Sequence, residues 1–211
     1  MSTLVVIAKA PLAGRSKTRL TPPCTPHQAA ALAEAALADT LAAVAATPAD
    51  RHVLVLEGEL GAWLPPGFEV IAQRGAGLGE RLAAAFSDVG GETLVVGMDT
   101  PQLTAALLAG ALTELRAADA VLGSAPDGGY WAIGLRRADD AVFAGVPMSA
   151  PTTCAVQRER LRTLGLRTRE LAPLRDVDEI ADAYAVAAAA PATRFARTLA
   201  AMDLDRTPVA A

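Results

Sequence analysis

Thr3-Leu-Val-Val-Ile-Ala8 runs without a break into Lys9-Ala-Pro-Leu-Ala-Gly-Arg-Ser-Lys-Thr-Arg-Leu20. The first run is apolar and β-branched and reads as a buried strand. The stretch behind it carries four cations, Lys9, Arg15, Lys17 and Arg19, interspersed with Ala10, Pro11 and Gly14. A strand that empties into a Gly-containing cationic loop is suited to anions, because backbone N–H groups and positive side chains can converge there on a polyphosphate. The same residues also describe a solvated basic turn, so the rest of the chain has to decide.

Further strand-like runs occupy residues 53–56, 69–72, 93–97, 120–123, 130–134 and about 167–171. Longer helical patterns separate most of them. Thr25-Pro26 supplies an N-cap and a first-turn proline for an Ala-rich helix to about Ala46. Others start near Gly79, after Thr104, at Thr152 or Thr153, and at about Asp178 and Pro191. Strands alternating with helices predict an α/β/α sandwich around a mixed, mostly parallel sheet. The two strands joined through Asp127-Gly-Gly129 predict one antiparallel excursion inside it. No repeat or linker interrupts the pattern, so one domain is expected over residues 1–211, with Ala-rich C-terminal helices at about 178–201 and a flexible tail at about 206–211.

Composition narrows the function classes. The chain has 211 residues, 52% hydrophobic and only 4% aromatic, so its core must be built from Ala, Leu and Val. A formal net charge of −4 argues against a nucleic-acid or acidic-membrane binder and makes the basic loop a local exception, suited to a small anionic ligand. Cys24 and Cys154 lack metal-ligand spacing and form no metal set with His27 and His52; they read as free thiols, with a long-range disulfide as the alternative. No signal peptide or membrane span is read from the sequence, and a cytoplasmic protein is expected.

In open α/β sheets, ligands bind at the carboxyl ends of strands. The basic loop, Asp99 and Asp127 each follow a strand, and Asp176 and Asp178 follow the last one at a distance. Asp99, in Gly97-Met-Asp-Thr-Pro101, reads as a Mg²⁺ or Mn²⁺ ligand or as a turn residue before a proline. Asp176 and Asp178, two apart, share a face if extended and can reach one metal; Asp178 can instead cap the following helix. Asp127-Gly-Gly-Tyr130 reads as a hairpin or as a turn that lets backbone approach a ligand. Gln73-Arg-Gly-Ala-Gly-Leu-Gly79 is a second Gly-rich loop, with Glu80 and Arg81 placed to cap it. No Ser-His-Asp or Cys-His nucleophile set is visible.

Taken in order, Lys9-Ala-Pro, Gly14, Lys17-Thr-Arg-Leu20, Gln73, Gly77-Leu-Gly-Glu-Arg81, Gly97, Asp99, Pro101, Asp127-Gly-Gly-Tyr130 and Asp176-Val-Asp178 resemble the DUF2064 family over about residues 3–182. The loop and the acids are also similar, more distantly, to the 2-phospholactate or phosphoenolpyruvate guanylyltransferases and the molybdenum cofactor guanylyltransferases. The resemblance implies a GT-A, or nucleotide-diphospho-sugar transferase, fold with nucleotide held at the rim of the sheet. By position, Lys9, Ala10, Pro11, Gly14, Arg15, Lys17 and Arg19 would bind nucleotide with Gln73, Gly77, Gly79 and Arg81. Asp99, Asp176 and Asp178 would hold the metal, and Asp127, Gly128, Gly129, Tyr130 and Ser149 would face the acceptor. Where the family usually has Trp-Ser-Thr, this chain reads Met148-Ser-Ala-Pro-Thr152.

Fold alone does not choose the reaction. An NTP brings roughly four negative charges, and four cations in one loop suit a leaving pyrophosphate. The favoured expectation is therefore a metal-dependent nucleotidyltransferase, with Lys17 and Asp99 as catalytic residues, moving NMP to a small anionic acceptor. A glycosyltransferase using a nucleotide sugar is the alternative, and a catalytically silent nucleotide-binding module the third.

Overall fold

In the computed structural model, which describes residues 1–204, seven strands form one mixed sheet in the order β3-β2-β1-β4-β6-β5-β7. They are β1 (Ser2–Lys9), β2 (Arg51–Glu57), β3 (Glu69–Ala72), β4 (Glu92–Gly97), β5 (Ala120–Ser124), β6 (Tyr130–Leu135) and β7 (Thr168–Leu171). The helices are α1 (Pro26–Ala45), α2 (Leu78–Val89), α3 (Ala105–Ala117), α4 (Thr153–Thr163), α5 (Ile180–Ala189) and α6 (Arg194–Ala200). The expected α/β sandwich with a mostly parallel sheet is what forms. The antiparallel excursion is β6, inserted between β4 and β5 and antiparallel to both. The tail expected at about 206–211 lies outside the described residues.

Strand periodicity builds two cores. Along β1, Leu4, Val6 and Ala8 face α1 and α3, whereas Val5 packs with Leu82 and Phe86 of α2 and Leu161 of α4. Thr25 caps α1 by a capping box with Gln28, and alanines at 29, 33 and 36 keep its buried face narrow. Contrary to the sequence reading, α1 is long and apolar enough to cross a membrane by length and composition. Here 56% of that stretch is buried inside the fold, because it is a core helix packed on the sheet and on α6. A third cluster joins Leu20 and Cys24, beyond the basic loop, to Val177 and to Phe195 and Leu199 of α6. Both cysteines are buried free thiols.

Chain connections leave β1 and β4 in opposite directions, β1 towards β2 and β4 towards β5. The carboxyl ends of these two adjacent strands are the position where such sheets open a binding crevice.

Candidate active site

Two charged clusters occupy this rim. In the first, the Lys17 ammonium lies 2.8 Å from Asp99 Oδ2 and donates to the Val177 carbonyl, while Arg19 pairs with Asp178. The Lys17 side chain is only 10% exposed and that of Asp99 35%, so this pair is shielded far better than a surface one. The Val177 N–H donates to the Asp99 carbonyl at 3.0 Å, stitching the segment before α5 to the end of β4. Lys17 and Ser149 are the non-glycine residues with positive φ among those described, at 49° and 57°. Such backbone is disfavoured for L side chains and tends to persist at functional sites.

The acidic side of this cluster is a cleft of about 230 Å³ lined by Pro126, Asp127, Arg175, Asp176, Asp178, Glu179 and Asp182. Burial, reinforced by the Asp127 charge, pushes the Asp176 carboxyl up to about 6. Capping of α5 falls to Glu179 and Asp182, so Asp178 is left to Arg19. Asp127 Oδ1 accepts from the Gly129 N–H at 2.8 Å, closing the β5–β6 hairpin. Gly128 lies so close to the 147–152 loop that a Cβ there would fall 1.9 Å from the Pro151 carbonyl oxygen. The Tyr130 hydroxyl is turned to Met148 and Gln157, in contact with the core, and burial raises its pKa.

The second cluster centres on Glu57, at the carboxyl end of β2. Arg81 pairs with Glu57, and Lys9 approaches the same oxygen at 3.4 Å. Arg81 also donates to Gln73 Oε1 at 3.2 Å and to the Gly75 carbonyl at 3.2 Å. Gln73 Nε2 in turn donates to the Ala8 and Val55 carbonyls at 2.6 and 3.2 Å, tying the ends of three strands together. The Arg81 hydrogen bond holds the Glu57 carboxyl below the usual range. Glu80 accepts from Ala76 N at 2.8 Å and orders the Gly-rich loop, with Gly77 as the N-cap of α2 and Gly79 beneath Met148. Ala10 donates its N–H to the Glu57 carbonyl, Gly14 turns the basic loop at φ +75°, and Arg15 is exposed.

The structure thus brings Lys17, Arg19, Asp99, Asp176 and Asp178 together, and Lys9, Gln73 and Arg81 beside them at the same rim. Sequence reading missed Glu57. It ends the run Val53-Leu-Val-Leu-Glu57, the same strand-end position that drew attention to Asp99. Among the described residues no three His, Cys, Asp or Glu side chains already converge as a metal set. Asp99 Oδ1, however, is buried and has no hydrogen-bond donor among them, which leaves it open to a hard cation.

The family model for bacterial proteins described as "uncharacterized protein conserved in bacteria (DUF2064)" matches residues 29–150, more than half of the chain. The chain belongs to the DUF2064 family. The match leaves out the basic loop and the Asp176–Asp178 segment, the two parts that clasp each other in the first cluster. No curated protein matches the chain. A Desulfovibrio desulfuricans G20 structure, provisionally named a nucleotide-diphospho-sugar transferase, is 28% identical with a TM-score of 0.84 over 94% of both chains. A CMP:2-keto-3-deoxy-manno-octonic acid synthetase complexed with CTP is 14% identical, with a TM-score of 0.56 over 89% of this chain and 97% of that one. The Mycobacterium tuberculosis H37Rv protein Rv0371c, complexed with manganese, is 21% identical, with a TM-score of 0.52 over 88% of this chain and 96% of that one. The DUF2064 chain therefore has the nucleotide-diphospho-sugar transferase-like, GT-A fold, and its solved neighbours include nucleotide-using transferases.

Proposed function

We propose that this protein is a metal-dependent nucleotidyltransferase that moves NMP from an NTP to a small-molecule acceptor and releases pyrophosphate. The observation that carries it is the Lys17–Asp99 centre, a shielded cation and a carboxylate with one orphaned oxygen at the crevice between β1 and β4. Asp99, with Asp176 and Asp178, would hold Mg²⁺ or Mn²⁺, which when bound neutralises phosphate charge and polarises the reacting phosphoryl group. Lys17 and Arg19 contact the triphosphate and offset the charge that accumulates on the leaving pyrophosphate as the acceptor oxygen bonds to the α-phosphorus. Lys9, Gln73 and Arg81 with their loops hold the rest of the nucleotide. Asp127 and Ser149, on the two segments that meet at Gly128 and Pro151, face the acceptor, which was expected from sequence to be anionic.

Glycosyl transfer from a nucleotide sugar is the second reading, favoured by the name of the Desulfovibrio neighbour. A thermal-shift panel of NTPs and nucleotide sugars, each with Mg²⁺, Mn²⁺ or chelator, separates the two. Metal-dependent stabilisation by one NTP and by no sugar nucleotide is expected; a ligand at a hundred times its Kd adds about 2.7 kcal/mol. Stabilisation by sugar nucleotides alone would replace nucleotidyl with glycosyl transfer. Equal stabilisation with and without metal would instead favour a silent binding module.

A further inference from the structure

Two of the cations suited to phosphate and two of the acids suited to metal are occupied by one another. Lys17 holds Asp99, and Arg19 holds Asp178. The Lys17 bond to the Val177 carbonyl, the Val177 bond to Asp99 and the burial of Leu20 and Val177 in one cluster keep the basic loop and the acidic segment face to face. We infer that these ion pairs form a latch across the first cluster that makes binding of a divalent cation and of a polyphosphate mutually dependent, an inference that rests on the metal-and-nucleotide reading of this site.

A divalent cation arriving alone competes with Lys17 and Arg19 for Asp99 and Asp178. Success leaves the ammonium of a side chain that is only 10% exposed without its counter-charge, the costly half of breaking a shielded pair. A polyphosphate arriving alone draws the same cations away and strands the carboxylates beside Asp176 and Asp127, which already repel one another. Arriving together, each ligand supplies the charge that the other removes, so the exchange ends with every charge partnered. Coupling of this kind is reciprocal: the metal raises polyphosphate affinity by the factor by which polyphosphate raises metal affinity.

Two counter-intuitive results follow, and both are read from binding alone. Mn²⁺ on its own, followed through the electron paramagnetic resonance of the free ion, should bind K17M roughly tenfold more tightly than the wild type, the scale of one charge-assisted hydrogen bond. R19Q should tighten it about two- to fivefold, because that pair is more exposed. R15Q controls for the general field, since Arg15 lies in the same loop and has no ion-pair partner among the described residues. It should tighten Mn²⁺ by less than either. In the mirror experiment, inorganic tripolyphosphate titrated in the presence of EDTA should bind D99N and D178N more tightly than the wild type. Should K17M fail to fold, R19Q, D99N and D178N carry the comparison. Measurable Mn²⁺ binding that changes equally in R19Q, K17M and R15Q would overturn the latch and leave the metal site standing. No Mn²⁺ or tripolyphosphate binding to any of these proteins would overturn both the latch and the function it rests on.

Discussion

Replacing Asp176 by Asn should stabilise the ligand-free protein, and only above a definite pH. In the folded chain its carboxyl titrates at about 6, against 3.8 for an unperturbed aspartate, because burial and then the Asp127 charge oppose ionisation. A group whose folded pKa is raised favours the native state while it is neutral, below the unfolded value, and that contribution is lost as pH rises through the folded value. The wild type should therefore lose stability between about pH 4 and about pH 6, and the variant should not. The rise from 3.8 to about 6 sets a ceiling of roughly 3 kcal/mol, at about 1.4 kcal/mol for each tenfold change in proton affinity. Asp176 is half-buried, so screening by solvent reduces this to about 1–1.5 kcal/mol. At roughly 2–4 °C per kcal/mol, D176N should melt about 2–6 °C above the wild type at about pH 8 and level with it at about pH 4. Circular dichroism melts of both proteins in EDTA across that range make the test. A variant no more stable than the wild type at about pH 8, or equally stabilised at every pH, would show that burial and the Asp127 charge do not oppose ionisation of Asp176. With Asp176 as one of the proposed metal ligands, saturating Mn²⁺ should then narrow the gap by stabilising only the protein that retains the carboxylate.

Substituting Ala for Gly128 should unfold the β5–β6 turn or destabilise the whole protein by about 2 kcal/mol or more, because the new Cβ meets the Pro151 carbonyl and the residue sits at φ +89°. Urea melts would check it, and a change within about 0.5 kcal/mol would contradict the packing. Thr25→Ala removes the capping box of α1 and should cost about 1 kcal/mol, read as a fall of roughly 2–4 °C in Tm. Cys24 and Cys154, buried and with burial raising both thiol pKa values, should resist a thiol reagent in the native protein and react fully in denaturant. Reaction of fewer than two thiols in denaturant would point to an oxidised pair. Lys17→Ala and Asp99→Ala, if folded, should each lower NTP-dependent pyrophosphate release by a hundredfold or more, on the order seen when one charge-stabilising group is removed. Full turnover in both would remove these two residues from the chemistry.

Most of the architecture was written in local pattern. All seven strands lie where apolar runs predict them, and five of six helices begin within about two residues of their expected starts, as is usual for element ends. The last begins at Arg194 rather than near Pro191, because Thr193 and the Asp39 carboxylate cap it there. The Asp127-Gly-Gly129 turn foretold the antiparallel β6, but not that β6 would insert between β4 and β5. Gly-rich loops and strand-end charges directed attention to Lys17, Asp99 and Arg81, yet whether Asp178 would cap a helix or serve the site was undecidable from sequence. Glu179 and Asp182 take the cap, which leaves Asp178 facing Arg19.

Sequence by itself determined the fold class and the residue types at the sheet rim, since strand and helix periodicity and turn chemistry act over a few neighbouring residues. Tertiary structure alone decided which charge meets which. The pairs Lys17–Asp99, Arg19–Asp178 and Arg81–Glu57, the orphaned Asp99 oxygen and the raised pKa of Asp176 all depend on how segments remote in the chain meet at the sheet rim. Coulomb energy and burial depend on distance in space, and distance along the chain says nothing about either until the sheet order is set.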